Sequence, residues 1–233
     1  MLNKEKHHQI LLQITKDIYT NIHISSLLGF KGGTAAYLIY NLPRFSVDLD
    51  FDLIDPTPEC IATVHQEMHT ILQHYGTIEN EYQKNYTLFF LLSYEAQHHH
   101  IKIDISTRGW YNEYTVQEYL GIPMLVMNPP YMFANKLAAL TDRKKVFMRD
   151  VYDIWYFFTK RWEIEESVIQ KRTGKTLKQY ITKDCIPVIE QIKNEELLLG
   201  LGEYLNESQR NFVKTKLKQE VLFQLRILAD SLE

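Results

Sequence analysis

Apolar residues at Ile10, Leu11, Ile14, Ile18 and Ile22 recur three and four positions apart, the spacing of one helix face. They predict an amphipathic helix ending near Gly29. The period then changes to two. In Val47-Asp48-Leu49-Asp50-Phe51-Asp52-Leu53, alternation puts Val47, Leu49, Phe51 and Leu53 on one face and the three aspartates on the other, a half-buried strand with an acidic face. Helical spacing returns over residues 57–75 at Ile61, Val64, Met68, Ile71 and Leu72. An apolar run over 87–94 reads as a buried strand. In His100-Ile101-Lys102-Ile103-Asp104-Ile105-Ser106 the isoleucines share one face, and Lys102, Asp104 and Ser106 share the other. Residues 123–127 form a further short strand, and Pro129-Pro130 breaks the chain before a helix over about 131–141.

Beyond that point the character of the chain changes. Residues 146–160, 175–192, 195–205 and 208–232 all carry helical patterns, and none of this stretch alternates. The pattern therefore predicts an α/β (α+β) fold with two regions. Residues 1–128 hold a mixed sheet with flanking helices, residues 129–233 are mainly helical, and the boundary falls near Asn128. No internal repeat or low-complexity segment interrupts it.

Composition narrows the class. With 233 residues, 45% of them hydrophobic and 24% charged, disordered, collagen-like and coiled-coil chains are excluded. A chain of this length buries roughly 70% of its unfolded surface, so its core needs no disulfide or structural metal. Cys60 and Cys185 stand far apart without CxxC spacing, which fits a reducing compartment and argues against a zinc module. Lys4, Glu5, Lys6, His7 and His8 interrupt the apolar residues at the start, and the longest apolar stretch, at Leu88 and Leu92 and between, is too short to cross a bilayer. A cytoplasmic protein without a membrane segment is the expectation. The 26 Lys and Arg against 29 Asp and Glu leave a formal charge of −3, so any nucleic-acid site must be a local patch.

Three features carry chemistry. Lys31-Gly32-Gly33-Thr34 leads into the apolar helical run of Ala35, Ala36, Leu38 and Ile39. Glycines before a helix let backbone approach a phosphate, and the unpaired N–H groups of the first turn receive it; a plain turn has the same spelling. Asp48 and Asp50 share a strand face, where their charges repel unless a cation or solvent compensates. Such oxygen ligands suit Mg²⁺, and a solvated sheet face is the other reading. Asp104 adds a third carboxylate pointing off an apolar face. Three aspartates converging behind a glycine turn would make a two-metal site for attack on a nucleoside triphosphate.

These blocks resemble a family. Gly-Gly, then hydrophobic-Asp-x-Asp, then hydrophobic-Asp-hydrophobic is the signature of the DNA polymerase β type nucleotidyltransferase superfamily. More narrowly, Lys31-Gly32-Gly33-Thr34 with Leu42-Pro43-Arg44-Phe45-Ser46-Val47-Asp48-Leu49-Asp50-Phe51 is similar to the AbiEii/AbiGii toxin family of nucleotidyltransferases. A third block, Asn135-Lys136-Leu137-Ala138-Ala139-Leu140 with Arg143 and Arg149-Asp150-Val151-Tyr152-Asp153-Ile154, resembles that family's downstream Lys, Arg and RDxxD motif.

The resemblance implies roles. Gly32, Gly33 and Thr34 would cradle the triphosphate, Arg44 and Ser46 would support its oxygens, and Lys31 and Arg149 join the nucleotide-binding set. Asp48, Asp50 and Asp104 would hold Mg²⁺, with Asp104 also helping to deprotonate the attacking hydroxyl. Lys136 would reach phosphates, and Asp150 or Asp153 would act on the acceptor or fix Lys136 and Arg149 in place. Arg149 and Asp153, four apart on a helix, equally allow an ordinary ion pair.

Basic residues gather in the back half, with five against three acidic ones between Lys136 and Asp153 and seven against three between Lys160 and Lys183. Arg210, Lys214, Lys216 and Lys218 form a further cluster. They favour a nucleic-acid face there, although basic runs are often only solvated surface. His98-His99-His100 lacks further ligands at metal spacing, and Trp155-Tyr156-Phe157-Phe158 reads as packing between the two halves. The expectation is a Mg²⁺-dependent transfer of a nucleoside monophosphate from an NTP to an acceptor, a tRNA by resemblance, with a cognate antitoxin as partner. Nucleotidylation of a protein, or a degenerate fold that only binds nucleotide or a partner, are the competing readings.

Overall fold

The computed structural model describes residues 3–95, 99–109, 112–143 and 145–232. The chain divides into two compact units, 1–127 and 128–233. The first contains α1 (Lys4–Thr20), β1 (Leu28–Lys31), α2 (Gly32–Ile39), β2 (Leu49–Leu53), α3 (Pro58–Gln73), β3 (Thr77–Lys84), β4 (Thr87–Glu95), β5 (His99–Ser106), β6 (Tyr114–Tyr119) and β7 (Ile122–Met127). Its strands form one mixed sheet in the order β3-β4-β5-β2-β1-β7-β6. β1 pairs with β2 antiparallel and with β7 parallel, and β2 pairs with β5 parallel.

One sheet face is apolar because of the two-residue alternation. Leu28, Phe30, Leu49, Phe51, Leu53, Ile101, Ile103 and Ile105 are all buried, and the Phe30 and Phe51 rings stack 5.2 Å apart in paired register. α1 lies over this face, with the Tyr19 ring 6.4 Å from Phe51 and its hydroxyl between the carbonyls of Leu28 (2.9 Å) and Leu125 (3.1 Å). α3, capped by the Thr57 side chain, packs beside α1. The strand over 87–94 alternates rather than burying both faces: Leu88, Phe90 and Leu92 point inward.

The first helix stops well before Gly29. Asn21 caps it in an extended conformation and its side-chain oxygen accepts from the His23 N–H, so Ile22 turns outward at 85% exposure. The residues freed by that early stop form a turn that leads into β1 at Leu28. Two further strands, β3 and β6, escape the periodicity argument because they edge the sheet and their side chains are mostly exposed.

The second unit contains α4 (Pro129–Ala138), α5 (Met148–Thr159), α6 (Glu166–Thr173), α7 (Leu177–Tyr180), α8 (Ile186–Glu190), α9 (Glu207–Phe212) and α10 (Lys218–Ser231). Pro129 and Pro130 occupy the first turn of α4, where a missing N–H costs nothing. π-helical turns at Ile181–Cys185 and Val213–Leu217 join α7 to α8 and α9 to α10. The predicted helix over 195–205 is instead a set of tight turns with 3₁₀ pieces at Asn194–Glu196 and Gly202–Tyr204, because Gly200 at φ 65° and Gly202 break it. The aromatic run packs within this unit: Phe157 stacks on Trp162 at 4.4 Å and Trp155 meets Phe212 at 4.5 Å.

Phe51 is the core's central test. Phe51→Ala is expected to cost about 3–5 kcal/mol of unfolding free energy, read from denaturant titration. A cost below about 1 kcal/mol would contradict the packing described, since a tightly packed core cannot refill such a void.

Candidate functional site

Gly32, Gly33 and Thr34 form the first three positions of α2, directly after β1. Their N–H groups begin the helix and have no partner within it. Gly32 has φ +76°, and a Cβ there would lie 2.4 Å from Asp50 Oδ2. A Cβ on Gly33 would lie 2.6 Å from an Arg44 guanidinium nitrogen and 3.1 Å from Ser46 Oγ. The glycine turn, Asp50, Arg44 and Ser46 are thus neighbours, and side chains at 32 or 33 would fill the cradle. The Thr34 hydroxyl is buried, 2.9 Å from Ser46 Oγ and within hydrogen-bonding distance of the Asp48 carbonyl. Only its backbone can face a phosphate. Arg44, also buried, donates to the Phe45 carbonyl at 3.2 Å.

Parallel pairing of β2 with β5 sets Asp50 beside Asp104, and antiparallel pairing with β1 sets Asp50 beside Lys31. Asp48 precedes the strand by one residue and shares the parity of Asp50. Lys31 reaches across to β2. It forms an ion pair with Asp52, which also accepts from Asn112 Nδ2 at 2.9 Å and from the Tyr114 hydroxyl at 2.5 Å. Asp52 is only 5% exposed, and burial together with its charge pushes the Tyr114 hydroxyl well above the usual phenol range. Sequence reasoning placed Asp52 on the acidic face but gave it no partner; its engagement by Lys31 separates it from Asp48 and Asp50.

The three aspartates share a face without closing on one point. Among the described residues, no group of three or more His, Cys, Asp or Glu side chains is gathered to hold a metal ion. Asp50 and Asp104 are register partners on adjacent strands, and Asp48 stands two positions before Asp50 with the same parity. The donor set still fits a hard divalent cation. Carboxylate oxygens on adjacent strands lie against the glycine turn, Asp50 beside Gly32, and phosphate oxygens would complete the coordination. The histidine triple offers no rival: His99 and His100 pair with Glu95 (3.8 Å) and Glu79 (2.7 Å), and His98 lies outside the described residues.

His7 was passed over in the sequence because nothing local marks it. It is 1% exposed on α1, with Nε2 3.0 Å from the Val47 carbonyl and Nδ1 2.7 Å from the Tyr94 hydroxyl. Burial lowers its pKa, outweighing the Val47 hydrogen bond and the Asp48 charge, which raise it.

The helical unit builds its own cluster. Lys136 on α4 lies 2.7 Å from Asp150 and 2.9 Å from Asp153 on α5, and Arg143 lies 3.4 Å from Asp150. Asp153 is fully buried and its carboxylate is engaged by Lys136. Arg149 stands 5.8 Å from the Tyr204 ring. Several predicted nucleic-acid cations are spent internally: Arg172 on Asp142, Lys175 on Asp184 at 2.6 Å, Arg210 on the Gly202 carbonyl at 2.7 Å, and Lys218 on the carbonyls of Glu190 and Ile192. Arg143, Lys145, Lys171, Lys214 and Lys216 stay exposed, and Lys144 lies outside the described residues.

Asp153→Asn leaves Lys136 with Asp150 alone in a largely buried setting. We expect it to lower unfolding stability by about 2 kcal/mol, the worth of a hydrogen bond to a charged group. A denaturant midpoint equal to that of the unsubstituted protein would contradict the role given to Asp153.

The solved structures it resembles include JHP933 from Helicobacter pylori, at 18% identity over 99% of this chain and 97% of that chain, with a TM-score of 0.57. MenT4, a nucleotidyltransferase toxin from Mycobacterium tuberculosis H37Rv, aligns at 14% identity over 99% of this chain and 85% of that chain, with a TM-score of 0.59. At such identities the likeness is one of fold. No curated protein matches the chain in sequence. The family model for the nucleotidyl transferase AbiEii toxin matches residues 24–222, from the loop before β1 into α10, and so takes in the glycine turn, the aspartate row and the Lys136 cluster. By that match the chain belongs to the AbiEii nucleotidyltransferase toxin family of type IV toxin–antitoxin systems.

Proposed function

We propose that this nucleotidyltransferase moves a nucleoside monophosphate from an NTP to the 3′ end of a tRNA, with Mg²⁺. The carrying observation is the contact of Gly32 with Asp50 in a strand register that also sets Asp50 beside Asp104. It joins a backbone cradle for phosphate to carboxylates for a cation. Family membership implies an NTP co-substrate and an antitoxin partner.

The N–H groups of Gly32, Gly33 and Thr34 would receive triphosphate oxygens, while Arg44 and Ser46 brace the turn from behind. Held by Asp48 and Asp50, the cation would offset the charge that develops on the phosphates. The acceptor hydroxyl attacks the α-phosphorus and its proton passes to Asp104. The bond from that phosphorus to the bridging oxygen breaks, and pyrophosphate leaves with the electron pair. Within the helical unit, Asp150 and Asp153 orient Lys136, the lysine of the family's downstream motif.

RNA as acceptor draws support from the helical unit. A cleft of about 520 Å³ there is lined by Arg143, Lys145, Phe147, Ile192 and Leu199, and by Glu196, 3.9 Å from Lys145. The Arg143 guanidinium lies 4.6 Å from the exposed Phe147 ring. Cations beside an open aromatic suit an unstacked base and its phosphate. Among the described residues no helix is long and apolar enough to cross a membrane.

The test is labelling. With α-labelled NTP, Mg²⁺ and cell lysate, label is expected on ribonuclease-sensitive material of tRNA size, and raised salt should weaken RNA binding steeply. Asp48→Asn and Asp50→Asn should each reduce labelling to background while the protein stays folded, since each conserves side-chain shape on a face outside the core. Ribonuclease-resistant label on polypeptide would overturn the RNA acceptor, and full activity in either variant would overturn the metal site.

A further inference from the structure

Asp48 sits where the sheet has not yet begun. β2 starts at Leu49, so the peptide carbonyls before and after Asp48 lie at the mouth of the ladder. Both are reached by buried side chains from other elements. His7 Nε2 on α1 lies 3.0 Å from the Val47 carbonyl, and the Thr34 hydroxyl on α2 donates to the Asp48 carbonyl. A carbonyl oxygen only accepts, so Nε2 carries the proton in this contact. Nδ1 then accepts from the Tyr94 hydroxyl, 2.7 Å away on β4. The ring is boxed by Phe45 at 5.8 Å and Tyr94 at 5.4 Å between centroids.

We propose that His7 is a positioning residue for the carboxylate of Asp48. Through the Val47 carbonyl it fixes the peptide entering Asp48, as Thr34 fixes the one leaving it, and Tyr94 fixes the tautomer that makes the contact possible. The N-terminal helix thereby does more than cover the sheet: it holds one ligand of the cation site from behind. The inference rests on the reading of Asp48 as a metal ligand. Groups that hydrogen-bond a metal ligand directly change affinity about 10–100-fold when removed, and His7, acting one peptide back, is expected at the lower end of that range.

His7→Phe keeps the ring between Phe45 and Tyr94 and removes both hydrogen bonds, whereas His7→Gln returns an N–H donor toward Val47. The measurement is Mn²⁺ binding, read from the electron paramagnetic resonance of the free ion, to the full chain with a non-hydrolysable NTP analogue; circular dichroism checks the fold. Unsubstituted protein should bind Mn²⁺, and Asp48→Asn should lose it. His7→Phe should bind about tenfold or more weakly and His7→Gln should recover most of the affinity.

The outcomes separate. Absence of Mn²⁺ binding by unsubstituted protein would overturn the metal-site reading and this inference with it. Normal binding by folded His7→Phe, or equal weakening in His7→Phe and His7→Gln, would overturn the inference alone. Should His7→Phe fail to fold, Tyr94→Phe decides: weaker Mn²⁺ binding supports the relay through His7, and unchanged binding overturns it.

Discussion

Two carboxylates held side by side on neighbouring parallel strands repel each other, and the rest of this unit is arranged so that they cannot move apart. Asp50 and Asp104 are register partners, and behind them Leu49, Phe51, Ile103 and Ile105 are fully buried. A slip of one residue would carry every isoleucine to the polar face and every aspartate into the core, a far larger penalty than the repulsion. The apolar face therefore sets the acidic one. Lys31 and Tyr114 meanwhile engage Asp52, whose partners are thereby distinct from the register pair of Asp50 and Asp104.

The helical unit handles charge differently. Lys136 is oriented by Asp150 and by the fully buried Asp153. A lysine alone is a flexible point charge; two carboxylates convert it into one with a direction. The last turn of α4 is tied as well, with Arg172 donating to Asn135 Oδ1 at 2.6 Å and the Tyr180 hydroxyl donating to the Leu137 carbonyl at 2.9 Å.

Much of this was legible because the relevant faces obey a strict period. The D-x-D strand, the Ile101-Ile103-Ile105 strand and the helix after Thr57 announce themselves by alternation or by a cap. What stayed hidden was decided by contacts remote in sequence. β3 and β6 are edge strands whose exposed side chains carry no apolar rhythm, and β1 is too short to show one. His7 and Asp52 gain their partners across 40 and 21 positions, so no local motif marks them. Charge counts also do not reveal that Arg172, Lys175 and Lys218 are committed to partners within the same unit. Family resemblance supplied the Lys136, Asp150 and Asp153 grouping, which periodicity alone would have left as helix surface.

The most direct test of the central claim is anomalous diffraction from crystals grown with Mn²⁺ and a non-hydrolysable NTP analogue. The account predicts a Mn²⁺ peak on the carboxylates of Asp48 and Asp50, with triphosphate density against the backbone of Gly32 and Gly33. A peak at any other place, with the glycine turn facing solvent alone, would contradict it.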